Sequence, residues 1–173
     1  MEFINVHATQ QHALVQDIPL GQAPDIYESI DKKYNKLSLA SIPSFPLDKP
    51  AEYSHWCTLM RGIFQRVMCL DIIIGVSRQP VPPSPVVPQP IPAEEEPIWS
   101  TYFWRKRIYE LKDSYVFAIL TASLGRTQAA INLLEPIPHD HGCALWQAMA
   151  AHYGHLLHLE NAGQTPKLTS CSI

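Results

Sequence analysis

Proline decides how this chain can fold. Eight of its 16 prolines fall in the run Pro80–Pro97, PVPPSPVVPQPIPAEEEP. Proline fixes φ and removes a backbone donor, so the run forms neither the interior of a helix nor a central strand. An extended, polyproline-like surface connection is the conformation left to it. Pro82–Pro85 and Pro85–Pro88 both fit PxxP, the spacing of SH3-type ligands, although any proline-rich linker produces such spacing readily.

The segments on either side read as helices. Tyr53, Trp56, Met60, Ile63, Phe64, Val67 and Leu70 recur at steps of three and four, on one helical stripe. Pro50 suits a first turn, Glu52 suits the positive end of the helix dipole, and Gly75 and Pro80 end the segment. The run Asp71–Val76 either finishes this helix or forms a brief extended piece, and periodicity does not choose between them. Beyond the loop, Glu94–Glu96 lead into the strongest helical pattern. Its stripe is Trp104, Ile108, Leu111, Tyr115, Ala118, Ile119 and Ala122, with Arg105, Lys106, Glu110, Lys112 and Asp113 mostly off it. Gly125 is a stop, Thr127 a cap for a short helix Gln128–Leu134, and Pro136 and Pro138 close that helix. A last helix starts after Asp140, with Leu145, Trp146, Met149, Tyr153, Leu156 and Leu157 on its apolar side. Ile26, Tyr27, Ile30 and Tyr34 suggest a short helix after Pro24. The stretch Leu37–Leu47 reads as loop or short extended structure because Pro43 and Pro46 interrupt it.

These elements predict an all-α protein, a compact bundle of about four to six helices with one long proline-rich loop. The expected organisation is a partly helical N-terminal segment over residues 1–36, a helical domain over 37–160 containing the loop 80–97, and a flexible tail over 161–173. A net charge of −3 gives no general attraction for phosphate backbones, so nucleic-acid binding would need a local patch. No apolar stretch approaches the roughly 20 residues of a membrane helix. The opening MEFINVHATQQ lacks the pattern of a secretory signal, and Cys57, Cys69, Cys143 and Cys171 form no CxxC pair. The cysteines therefore read as reduced thiols of a cytoplasmic or nuclear protein.

Chemistry-bearing patterns are sparse. His152, His155 and His158, with His139, His141, Cys143 and Glu160 nearby, are the one cluster with metal-ligand residue types. Steps of three drift around a helix by about 60° each, and no HExxH or CxxC completes the set, so a polar helix flank is the expectation. Cys57 follows His55 and Trp56, but helical neighbours point about 100° apart per residue, so Cys57 and His55 make no nucleophile–base pair. GxSxG, GxxxxGK[ST] and GxGxxG are all missing, and Glu94–Glu96 reads as a solvated charge run. Arg105, Lys106, Arg107 and Lys112 alternate with Trp104 and Tyr109, a nucleic-acid pattern only where the aromatics are exposed; the basic residues are expected on a solvated helix face. No enzyme activity, cofactor or metal is expected.

The segment EYSHWCTLMRGIFQRVMCLDIIIGVSRQP, with Tyr53, Trp56, Leu70, Ile72, Gly75 and Pro80 in order, is followed by a variable linker and by Trp99 or Trp104, Ile108 and Ile119–Leu120. ALWQAMAAHYG then sets Trp146, Met149 and Tyr153 at the spacing W-x-x-M-x-x-x-Y. In this order these residues resemble the Gag region of Ty1/copia retrotransposons, over Leu37 to Tyr153. The final motif has one residue less between alanine and tryptophan than the family's ending. The resemblance implies a capsid-type N-terminal lobe that acts by self-association, with other Gag-like chains as possible partners, in the cytoplasm. The family's second lobe and its CxxCxxxxHxxxxC knuckle do not occur in these 173 residues. A truncated or host-derived retroelement protein is therefore expected, one that does not itself grip RNA. The alternative is a helical protein-interaction adaptor that docks through its proline-rich loop.

Overall fold

The computed structural model describes residues 19–161. The tail expected to be flexible, apart from Asn161, lies outside the described residues, as do residues 1–18. Among the described residues the structure is all-α, with no strand. Its helices are α1 (Ala23–Asn35), α2 (Tyr53–Arg66), α3 (Leu70–Ile73), α4 (Glu96–Leu124), α5 (Gln128–Leu134) and α6 (Gly142–Asn161). Single 3-10 turns at Leu20–Gln22, Leu39–Ser41 and Pro50–Glu52 join or introduce them. Residues 80–95 carry no helix, and α4 starts at Glu96 with Pro97 in its first turn, where the missing N–H costs nothing.

The long helix α4, about 43 Å at 1.5 Å per residue, is the axis of the molecule. It packs against α1, α3 and α6. Its buried side is rotated from the stripe that the apolar residues suggested: Ile108, Lys112, Val116, Ile119, Leu120, Ser123 and Leu124 are buried, while Ala122 is exposed. Lys112 and Asp113, expected off the apolar side, are thus inside. The reason is that both have partners waiting. The Lys112 ammonium donates to both Asp71 oxygens, at 3.0 and 2.8 Å, and Ser77 donates its hydroxyl to the same carboxylate. Leu111 and Tyr115 are half-buried, and Tyr115 stacks on Tyr34 of α1 with ring centroids 3.8 Å apart and donates its hydroxyl to Asp31.

The helix expected to run from Tyr53 to Leu70 instead breaks after Arg66. Met68 takes a left-handed φ of 61°, the Cys69 N–H returns to the Phe64 carbonyl at 2.8 Å, and the Met68 N–H bonds the Gln65 carbonyl at 3.2 Å. That bond pair is a Schellman stop, made here without the usual glycine. The single turn α3 then starts at Leu70, followed by Asp71. The Asp71 carbonyl accepts the N–H groups of Val76 and Ser77, both at 3.0 Å, so DIIIGV is neither a helix ending nor an extended piece but a tight turn organised by Asp71.

The start of α6 touches the middle of α4. A Cβ built on Gly142 would lie 2.4 Å from the Asp113 carbonyl oxygen and 2.5 Å from the Phe117 nitrogen. Backbone cannot withdraw from such a contact without moving a helix, so only glycine fits. The Asp113 carboxylate accepts the Cys143 N–H at 2.7 Å and so fills the place of an N-cap supplied from another helix. Leu145 and Met149 then reach the core, and Thr127, whose Oγ1 accepts the Ala130 N–H, starts α5 beside them.

Gly142→Ala is expected to lower the unfolding free energy by about 1–3 kcal/mol, the usual range for overpacking, read from the midpoint of a urea titration. Gly154→Ala in the same helix meets no atom within 4 Å and should raise it by about 0.5–1 kcal/mol.

Candidate interaction surface

Most of the residues that carry the sequence resemblance are brought together in the core. Trp56 and Trp146 stack with centroids 5.4 Å apart, and Tyr53 and Tyr153 stack at 3.7 Å. Phe45 closes the group edge-on to Trp56 at 4.8 Å. Hydrogen bonds anchor the group: Trp56 Nε1 donates to Ser123 Oγ at 3.0 Å, Ser123 donates to the Pro43 carbonyl at 2.6 Å, and the Tyr153 hydroxyl donates to the Pro50 carbonyl. Ile108, Ile119 and Met149 are buried in the same core, while Leu70 and Trp104 are half-buried against it. Gly75 is exposed, with φ of 72°, in the turn after α3. Of these ten positions, Trp104 lines a groove on α4.

Reactive groups are dispersed or held unreactive. His152 is half-buried with its ring 6.4 Å from Phe45, and His155 is exposed; the side chains of His158 and Glu160 lie outside the described residues. Among the described residues no group of three or more His, Cys, Asp and Glu is placed to hold a metal ion. Cys57 is buried while its neighbour His55 is exposed, as their helical phase requires. Burial pushes the Cys69 thiol up to about 12 and raises that of Cys143, so both remain protonated at neutral pH. The basic residues of α4 do not share a face. Lys112 is buried on Asp71, Lys106 pairs with Glu110 at 3.7 Å, and the Arg107 guanidinium lies over Tyr27 at 4.8 Å. Arg105 lies beside Pro80, Val81 and Pro83.

The chemically distinctive surface is the first half of α4, where it meets the proline-rich loop. Four aromatics, Trp99, Tyr102, Phe103 and Trp104, occupy six consecutive positions and so spread over about 200° of the helix, more than one buried face. Trp99 is 1% exposed yet lies outside the main core, packed on Tyr102 and Phe103, with its Nε1 donating to Glu95 at 3.3 Å. Two grooves flank it. One is lined by Ile91 of the loop and by Glu96, Trp99, Ser100, Phe103, Trp104 and Arg107 of α4. In the other, Pro80, Val81 and Pro83 lie along Ile98, Thr101, Tyr102 and Arg105. Five large apolar side chains of this region stay in solvent: Val81 at 84%, Val86 at 72%, Ile98 at 56%, Phe103 at 43% and Val87 at 41%. The sequence pattern hides this surface because Trp104 falls on the single stripe expected to be core. The signal was available in the density of aromatics, too high for one helix face to absorb.

Two consequences of the buried charges are measurable. Lys112→Met leaves the Asp71 carboxylate buried without its cation and should cost about 3–5 kcal/mol, whereas Lys112→Met with Asp71→Leu should recover most of that loss in the same urea titration. Burial outweighs the backbone N–H bonds and nearby His141 at Asp113, holding its pKa above the usual 3.8. The folded state therefore binds this proton more tightly than the unfolded chain, so the contribution is present at low pH and lost as pH rises through the raised value. Asp113→Asn keeps an acceptor for Cys143 and should flatten that part of the stability–pH curve.

Compared with known proteins, the chain matches no family model, no curated protein and no solved structure.

Proposed function

We propose that this chain is a non-catalytic structural protein that works by associating with copies of itself, in the manner of a capsid-type Gag lobe. The observation that carries this reading is the aromatic and aliphatic surface at the first half of α4. Ile98 and Phe103 are exposed on this stretch of α4 and Val81 lies exposed along it, and a protein gains from covering such apolar surface. The Gag-like part of the reading draws support from the pairing of Trp56 with Trp146 and Tyr53 with Tyr153. These residues are 90 and 100 positions apart in sequence, and they join the two motif segments into one helical unit. Cytoplasmic location and partnership with other Gag-like chains belong to the same proposal; no described helix is long and apolar enough to cross a membrane.

A second reading is favoured by the loop itself. Val81 and Val86 stand almost fully in solvent among Pro82, Pro83, Pro85 and Pro88, as a polyproline ligand of another protein would. An adaptor of this kind would keep its partners when α4 is altered and lose them on Pro82→Ala with Pro85→Ala and Pro88→Ala in a pulldown.

Sedimentation velocity and chemical crosslinking over a concentration series test the first reading. A mass-average that rises above the monomer between micromolar and millimolar concentration is expected. A chain that remains monomeric at millimolar concentration sinks it. Phe103→Glu should shift the association to higher concentration by about tenfold, because a charge then replaces apolar contact area.

A further inference from the structure

We infer that the self-association rests on an antiparallel pairing of the first half of α4 with the same segment of a second copy, about a two-fold axis between Thr101 and Tyr102. The inference depends on the self-association reading and specifies its surface. The six α4 residues that line the first groove, Glu96, Trp99, Ser100, Phe103, Trp104 and Arg107, follow one another at steps of three and one, so they form a single stripe along the helix. That stripe is self-complementary only when reversed. In the antiparallel register Glu96 meets Arg107 of the other copy, Trp99 meets Trp104, and Ser100 meets Phe103. Each charge faces its opposite, the exposed Phe103 faces the small Ser100, and the half-buried Trp104 lies over the buried Trp99. A parallel pairing would instead set Glu96 on Glu96 and Arg107 on Arg107.

The two charges have no means of satisfying each other within one chain. Eleven residues of helix separate them by about 16 Å along the axis. Among the described residues neither makes an ion pair: Glu96 is exposed, and Arg107 is exposed with its guanidinium over the Tyr27 and Trp104 rings. A guanidinium already stacked on aromatic faces keeps its edge donors for a carboxylate that arrives from outside. Between the charges, Phe103 at 43% exposure offers the apolar contact, and the buried Trp99 forms a rigid floor. A two-fold pairing uses every contact twice, the arrangement commonest in homo-oligomers.

Charge reversal on the full chain tests this by sedimentation equilibrium at low salt, with circular dichroism to verify that each variant is folded. Glu96→Arg and Arg107→Glu should each weaken self-association about tenfold or more, because each replaces two attractions by two repulsions. An equimolar mixture of the two variants should regain wild-type affinity, since the mixed pair again sets opposite charges together. The doubly reversed chain, Glu96→Arg with Arg107→Glu, should regain it as well. If the unaltered chain associates but the reversals leave the affinity unchanged, or weaken it with no recovery in the mixture or the double variant, the pairing is wrong while self-association stands. If the unaltered chain is monomeric throughout, both fall.

Discussion

The close crossing of α4 and α6 at Gly142 governs the architecture. With no side chain at that point, the first turn of α6 sits directly on the backbone of α4 between Asp113 and Phe117. The Asp113 carboxylate then takes up the Cys143 N–H that a buried helix start would otherwise leave unbonded. Contact and cap come from neighbouring atoms, so they fix both the distance between the helices and the direction in which α6 leaves. That direction carries Trp146 onto Trp56 and Tyr153 onto Tyr53. The pairing of the C-terminal helix with α2 is therefore set by a glycine and a carboxylate that belong to neither aromatic pair.

Polar residues do similar work along the rest of α4. Lys112 reaches Asp71 in the tight turn after α2, and Ser123 links Trp56 to the carbonyl of Pro43 in the irregular stretch between α1 and α2. Apolar packing alone is tolerant of rotation about a helix axis. An ion pair with two bonded oxygens and a hydroxyl relay are not. These buried polar links hold α4 at one rotation, and that rotation turns Glu96, Phe103 and Arg107 outward.

Much of this fold is legible in the sequence. The loop follows from proline chemistry, the approach to α4 from Glu94–Glu96, and α5 from Thr127 and the prolines that follow it, while Glu96 and Pro97, expected in the loop, belong to the first turn of α4. The break at Met68 was not legible, because a methionine in left-handed conformation gives no local warning; the stop is made by returning hydrogen bonds and by the turn Asp71 organises. The rotation of α4 was hidden for a related reason. Periodicity ranks residues by hydrophobicity, and it therefore assigned Lys112 and Asp113 to solvent, whereas their burial depends on Asp71 and Gly142, 41 and 29 positions away. The exposed surface was obscured by the same habit, since aromatic residues at helical spacing ordinarily mean core. Four of them in six positions exceed what one buried face can hold.

The tryptophans divide along this line. Trp56 and Trp146 lie ring against ring at a centroid distance of 5.4 Å and tie α2 to α6, whereas Trp99 and Trp104 line the groove on α4. Two indoles that close share their excited states, so their circular dichroism in the near ultraviolet depends on the native stacking and disappears when the helices part. Trp99 is buried, but the half-buried Trp104 sits where solvent or a second molecule helps set the polarity around it, so its emission follows occupancy of the groove. The molecule thus carries two separate optical reporters, one for the integrity of its interior and one for what covers its surface.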